Sequence, residues 1–242
     1  MTTPRFYVSA ADLEDDRVTL SGGDHHHLCR VLRARVGDEV WLLDGRGLKA
    51  TARIERLGRE SSTLKVTDRK WEEEERPRLH LFQSLLKGSK MDLVVEVAAE
   101  LGAASITPFT CRYSQATTPA LERRVERWRA VAAQSSRVAG RRYLPEVGDP
   151  VDWKELLRSL SRFGVTLFAD ERGGERVAHV LRECEAEELA LIVGPEGGFE
   201  DAEREELCSL GARSVSLGPH VLRAEFAGMA LIAAARCACG LM

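Results

Sequence analysis

The strongest constraint on the fold lies in residues 79–217, where apolar runs of strand length alternate with stretches of helical period. The runs are 79–83, 105–108, 165–169, 189–193 and 214–217. Between the first two, Met91, Val94, Val95, Ala98 and Leu101 recur at the spacing of one buried helix stripe. Leu121, Val125, Trp128, Ala132 and Ser135 repeat that spacing, and residues 226–239 read as an apolar, alanine-rich helix. Strand–helix alternation predicts an α/β domain with a mainly parallel sheet covered on both faces. Ligands of such sheets bind beyond the carboxyl ends of the strands.

The first seventy residues follow another pattern. Short β-prone runs at 6–8, 18–20, 39–43, 49–54 and 63–66 are separated by turn signals such as Val36-Gly37-Asp38 and Asp44-Gly45-Arg46-Gly47. Five short strands in so little chain predict a small barrel, interrupted by a helical turn or two over 25–32. An acidic run ended by Pro77 cannot pack a core, so 71–77 reads as a linker. The expected organisation is a barrel over 1–70, the linker, and an α/β domain over 78–242.

The apolar fraction of 44% supplies a real core, and no apolar run is long enough to span a bilayer. The N-terminus lacks the apolar centre of a signal peptide, so a cytoplasmic protein without a membrane partner is expected. Cys29, Cys111, Cys184, Cys208, Cys237 and Cys239 form no C-x-x-C pair, and no metal site is expected. The net charge of −3 hides a basic stretch: Arg112, Arg123, Arg124, Arg127, Arg129, Arg137, Arg141 and Arg142 against only Glu122 and Glu126. The helical spacing turns most of these arginines away from the apolar stripe. They form either a solvated face or a row for phosphates.

Four local motifs could carry chemistry. In Gly194-Pro195-Glu196-Gly197-Gly198-Phe199 a buried strand runs through three glycines into a polar helix start. The glycines allow close approach of backbone to a ligand and serve equally in a plain strand–turn–helix connection. The motif lacks the spacing of a dinucleotide fingerprint and the ending of a phosphate loop, which disfavours nicotinamide or ATP. In Leu217-Gly218-Pro219-His220-Val221-Leu222-Arg223-Ala224-Glu225 a lone arginine and glutamate precede an apolar helix. Charges there are costly unless paired or functional. Lys87-Gly88-Ser89-Lys90 is a basic loop entering a helix, and His27-x-x-Arg30-Val31-Leu32-Arg33 sets two arginines three apart.

Taken in order, these pieces resemble the bacterial 16S rRNA uridine-N3 methyltransferases of RsmE type, within the SPOUT superfamily. The resemblance runs from Pro4-Arg5 and the H-x-x-R-V-L-R segment through Lys87-Gly88, Glu100-Leu101-Gly102, Ile106-x-Pro108, Arg112, Trp128, Gly140-Arg141 and Pro145-Glu146 to the two glycine motifs. It implies a PUA-like β-barrel, then a SPOUT α/β domain tied in a C-terminal trefoil knot. It implies a homodimer that binds S-adenosyl-L-methionine and acts on 16S rRNA or the small ribosomal subunit. The cofactor would be held by Ala169 and Asp170, by Gly194, Pro195, Glu196, Gly197 and Gly198, and by Leu217, Gly218, Leu222 and Ala224. Arg5, His27, Arg30, Arg33, Lys87, Arg112 and Arg141 would hold RNA. Arg223 would stabilise a uridine anion, with Glu225 as base or as the partner that orients Arg223.

The sequence departs from the family pattern at His220 (usually Arg), Ala224 and Phe226 (usually Thr), Val97 (usually Lys), Arg137-Val138 (usually Glu-Gln) and Glu200 (usually a serine cap). These changes leave open methylation of a different RNA nucleotide. They also leave open a non-catalytic RNA-binding protein on the same fold.

Overall fold

The computed structural model describes residues 3–114, 121–182 and 186–242; Cys184 lies outside the described residues. The chain divides into two compact units, Met1–Glu74 with Arg137–Leu144, and Glu75–Ser136 with Pro145–Met242.

The first unit contains β1 (Arg5–Tyr7), β2 (Arg17–Ser21), the short helix α1 (Gly22–His26), β3 (Glu39–Leu43), β4 (Leu48–Leu57) and β5 (Ser61–Trp71). They form one sheet of order β1-β3-β4-β5-β2, in which only β1 and β3 run parallel. Alternation along the strands sends Phe6, Val18, Leu20, Val40, Leu42, Ile54 and Leu64 into one core. Register shifts at Thr51/Ala52 and Ile54/Arg56 bend the two long strands. The expected helix over 25–32 differs in detail: α1 starts at Gly22 and widens into a π turn over His27–Val31. Arg33 lies beyond it at φ 53°, so Arg30 and Arg33 do not share the α-helical face their spacing suggested.

Residues 137–144 belong to this unit by real bonds. Arg137 pairs with Asp24 at 3.1 Å, Arg5 Nη1 donates to the Val138 carbonyl at 2.9 Å, and the Tyr7 hydroxyl donates to the Arg141 carbonyl at 2.6 Å. Burial pushes the Tyr7 hydroxyl up to about 12, against the pull of the nearby arginines.

The second unit contains β6 (Arg78–Ser84), α2 (Lys90–Glu100), β7 (Ser105–Phe109), α3 (Leu121–Ala139, whose last residues pass into the first unit), β8 (Glu146–Val147), α4 (Trp153–Ser159), β9 (Val165–Ala169), β10 (Glu175–Arg176), α5 (Val177–Val180), β11 (Glu188–Val193), α6 (Asp201–Ser209), β12 (Arg213–Ser216) and α7 (Ala224–Ala238). Its seven strands are all parallel, in the order β10-β12-β9-β11-β6-β7-β8. Along β11, Leu189, Leu191 and Val193 join the core that holds Val94, Trp128 and Leu231, while Ala190 and Ile192 join Phe82, Phe109, Phe168 and Phe199 on the other face. A strand buried on both faces explains its unbroken apolar run. Among the described residues no helix is long and apolar enough to cross a membrane.

Helix α3 buries Val125, Trp128, Ala132 and Ser135, as its spacing predicts. Its arginines are largely held by carboxylates: Arg127 by Asp92 at 2.7 Å and Arg129 by Asp149 at 3.0 Å. Arg124 donates to the Gly88 carbonyl at 2.9 Å and lies over the Trp128 ring. These contacts give much of the basic stretch intramolecular partners, while Arg127 and Arg129 keep half or more of their side chains exposed.

Candidate functional site

Strands β12, β9 and β11 lie side by side, and the loops after their carboxyl ends enclose a cleft of about 530 Å³ with the starts of α2 and α7. Every residue expected to hold the cofactor lines it: Ala169 and Asp170 from the first loop, Gly194 through Gly198 from the second, and Leu217, Gly218, Leu222 and Ala224 from the third. Arg223 lines it too, whereas Glu225 does not.

The first loop is anchored from behind. Arg204 of α6 is buried and pairs with both Asp170 and Glu171, the latter at 2.7 Å. Burial works against the Arg204 charge, and the Asp170 hydrogen bond and the two carboxylates outweigh it. Asp170 also accepts the Arg172 N–H at 2.9 Å. Its carboxylate is thus spent on the fold.

The second loop needs its glycines for packing. Gly198 has φ +72°, and a Cβ there would stand 2.5 Å from Glu171 Oε1. A Cβ on Gly194 would meet the Phe199 ring at 3.0 Å, and that ring is buried against Phe109, Phe168 and Trp153. Glu200 stands at the N-cap of α6, and Glu203 supplies the reciprocal half of a capping box, accepting the Glu200 N–H at 2.9 Å as well as the Arg112 N–H at 2.8 Å.

The third loop turns through Gly218 at φ +124° and leaves His220 and Val221 exposed. The Arg223 guanidinium lies over the Phe226 ring, 4.4 Å from its centroid, and 3.5 Å from Glu225 Oε1. Glu225 itself is 3% exposed, and its Oε2 has no hydrogen-bond partner. Lys90 Nζ lies 3.5 Å from that oxygen. Lys90 lines the cleft and also donates to Glu196 Oε1 at 2.8 Å. The Glu196 hydrogen bond holds the Lys90 ammonium above the usual lysine range. Burial opposes ionisation of Glu196, but hydrogen bonds from Lys90 and nearby backbone outweigh it and lower its carboxyl.

Sequence reasoning singled out Lys87 in the basic loop and passed over Lys90 and Arg204. The available signal was weak: one lysine opening a helix, and one arginine within the acidic start of α6. Of the residues expected to hold RNA, Arg5, His27, Arg30, Arg33 and Arg141 belong to the first unit, and Lys87 and Arg112 to the second. Arg30, Arg33, Lys87 and Arg112 are exposed, while His27 sits edge-on to the buried Phe6 at 6.1 Å. No group of metal-binding side chains occurs among the described residues.

A family profile described as an RNA methyltransferase domain matches residues 73–236, and one described as an RNA methyltransferase PUA domain matches 20–67. The chain is similar to the protein named ribosomal RNA small subunit methyltransferase E from Mycobacterium bovis, 28% identical over 97% of this chain and 91% of the relative. The protein of that name from Bacillus subtilis is 25% identical over 89% of this chain and 88% of its own length. A Legionella pneumophila methyltransferase solved with bound S-adenosylmethionine superposes with a TM-score of 0.86, at 27% identity and covering 98% of both chains. The Neisseria gonorrhoeae ribosomal RNA small subunit methyltransferase E, also solved with S-adenosylmethionine, gives 0.85 at 27% identity and the same coverage.

Proposed function

This chain belongs to the RNA methyltransferase family, with a PUA domain ahead of a parallel-sheet catalytic domain, and we propose that it transfers a methyl group from S-adenosylmethionine to N3 of a uridine in 16S ribosomal RNA. The observation that carries the reading is that one cleft, at the ends of β9, β11 and β12, is lined by every residue expected to hold the cofactor. Its size suits a nucleoside-sized ligand. Its walls combine backbone from three loops with the apolar Val193, Leu217, Leu222 and Ala227, which fits an adenosine carrying a methionine side chain. That cofactor supplies an electrophilic methyl on a sulfonium.

The chain's own residues then have two tasks. The loops position the reactants and exclude water, where proximity effects are large. The N3 proton must be lost or weakened, which a cation beside the base promotes. Arg223 at the cleft wall has that charge, and Glu225 suits the orienting role better than that of a base, because its carboxylate is buried off the cleft. N3 lies on the Watson–Crick edge, so the uridine must be unpaired or flipped out. The exposed Arg30, Arg33, Lys87 and Arg112 supply phosphate contacts. The reading extends to a cytoplasmic homodimer. Val221 and Leu222 on the cleft wall, with Phe226, leave exposed apolar surface that a second copy would cover.

The test is methyl transfer from labelled S-adenosylmethionine to small ribosomal subunits lacking the N3-uridine methyl, mapped by reverse-transcription stops. One strong stop at a uridine is the expected result. Label elsewhere moves the target to another nucleotide, and absence of both label and cofactor binding overturns the enzyme. Arg223→Ala should abolish transfer with cofactor affinity within about threefold of the parent.

A further inference from the structure

We propose that Lys90 is a catalytic cation of the methyl-acceptor site, seated at the cleft wall by the buried Glu225 behind it and Glu196 beside it. The inference rests on the reading of the cleft as a uridine-N3 methyltransferase site. Three observations converge on it. Lys90 opens α2 and Glu225 lies in the first turn of α7, and the packing of these two helices brings their side chains together. Glu225 is nearly inaccessible, yet one of its oxygens lacks a hydrogen bond and has the Lys90 ammonium 3.5 Å away. A carboxylate so placed is costly unless a cation answers it. Lys90 is itself over one-third exposed along its side chain and lines the cleft. It is the group of this pair that a bound base can touch.

The arrangement divides the labour. Glu225 sits between two cations, Arg223 at 3.5 Å from one oxygen and Lys90 at 3.5 Å from the other. It aims both at the cleft without reaching the substrate. Glu196 belongs to the glycine loop that would hold the cofactor, and its 2.8 Å hydrogen bond fixes the ammonium relative to that loop. A uracil presenting N3 would have carbonyl oxygens on either side of the reacting nitrogen. Two cations suit these two oxygens as negative charge spreads onto them. In the balanced step the N3 proton leaves to water and the N3 electron pair forms the new N–C bond. The C–S bond breaks and its electron pair stays on sulfur. Lys90 and Arg223 lower the cost of the first event.

The experiment compares the parent with Lys90→Met, Lys90→Arg and Glu225→Gln on undermethylated small subunits. Parallel reactions use subunits assembled with RNA in which uridine is replaced by 5-fluorouridine. Fluorine acidifies the N3–H, so this substrate needs less help to lose its proton. Lys90→Met should lower kcat about a hundredfold on uridine, with cofactor affinity by calorimetry within about threefold. The deficit should shrink at least tenfold or so on 5-fluorouridine and should narrow as pH rises above neutral. Lys90→Arg should retain most of the rate. Lys90→Met should cost little more in the Glu225→Gln background than the latter alone. Equal losses on both substrates, or a parallel collapse of cofactor binding, would make Lys90 a structural residue and overturn the proposal. So would a Lys90→Met rate close to the parent's. A parent that methylates no uridine N3 marks failure of the underlying functional reading instead.

Discussion

Replacing Gly198 with alanine separates two costs that the second loop imposes. The first is conformational: at φ +72° an L-residue loses about 1–2 kcal/mol relative to glycine. The second is a collision, because the new Cβ would sit 2.5 Å from Glu171 Oε1. Glu171 is 38% exposed along its side chain and can swing outward, giving up its 2.7 Å pair with Arg204. A partly exposed ion pair is worth up to about 1 kcal/mol. Together these predict a loss of roughly 1–3 kcal/mol, or about 2–12 °C in Tm for a chain of this size. Gly211→Ala is the control, since its φ is +82° and nothing lies within 4 Å of the added carbon. It should show only the first cost, with unchanged affinity for S-adenosylmethionine. Gly198→Ala should also weaken the cofactor about tenfold, because the displaced carboxylate borders the same cleft. Thermal melts and calorimetry on both variants, each repeated in a Glu171→Ala background, complete the cycle. The reasoning fails if Gly198→Ala melts with Gly211→Ala, or if Glu171→Ala leaves the extra cost in place.

Three further outcomes follow from particular contacts. Arg204→Met leaves Asp170 buried without its cation, so the variant should lose about 3–5 kcal/mol by denaturant melts and most of its cofactor affinity by calorimetry. Burial lowers His80 from 6.5 to about 4, so its proton binds the unfolded chain better; stability should be full above pH 6.5 and decline between 6.5 and about 4, and His80→Gln should flatten that part of a pH–stability curve. Arg30→Ala and Arg33→Ala should each weaken RNA binding in filter assays and reduce the salt slope by about one unit, because both side chains are exposed and make no ion pair among the described residues.

The parallel sheet was legible because burial on both faces leaves an unmistakable apolar run. The expected strands at 79–83, 105–108, 165–169, 189–193 and 214–217 became β6, β7, β9, β11 and β12 within a residue or so at each end. The two-residue strands β8 and β10 carry too little pattern to be read. Helix α4 was not read: the structure gives it a capping box of Asp152 and Glu155, but it is too short for a periodic stripe. The assignment of 137–144 to the first unit was invisible. It depends on Arg137 finding Asp24 and on Tyr7 finding the Arg141 carbonyl, which no local pattern encodes. The helix at 25–32 was misjudged at its end, since periodicity cannot reveal a π turn closed by an arginine at positive φ.

The cleft shows the same division more sharply. Two of its backbone walls were readable because glycines at 194–198 and 218 mark where a chain turns or approaches closely, while the wall at Ala169 and Asp170 was expected only from the family resemblance. The charges of the cleft were readable only in part: Arg223 and Glu225 stood out, whereas Lys90 and Arg204 did not, since a charged residue's meaning depends on what lies opposite. Sequence shows nothing of Lys90, but it marks Glu225 as a charge that must be paired or functional and as a base or the partner of Arg223. In the fold Glu225 is sealed, with one oxygen facing a lysine that sequence gave no reason to choose over Lys87. The pairing exists only because α2 and α7 pack together. The departures at Ala224 and Phe226 gain meaning in the same way. A threonine at 226 would offer Arg223 a hydroxyl, whereas the phenyl ring offers a face at 4.4 Å. A guanidinium already held by a ring and a buried carboxylate can keep its aim without the hydroxyls usual in the family. Loss of those threonines is therefore compatible with a working acceptor site here, provided the two cations that share Glu225 stay in place.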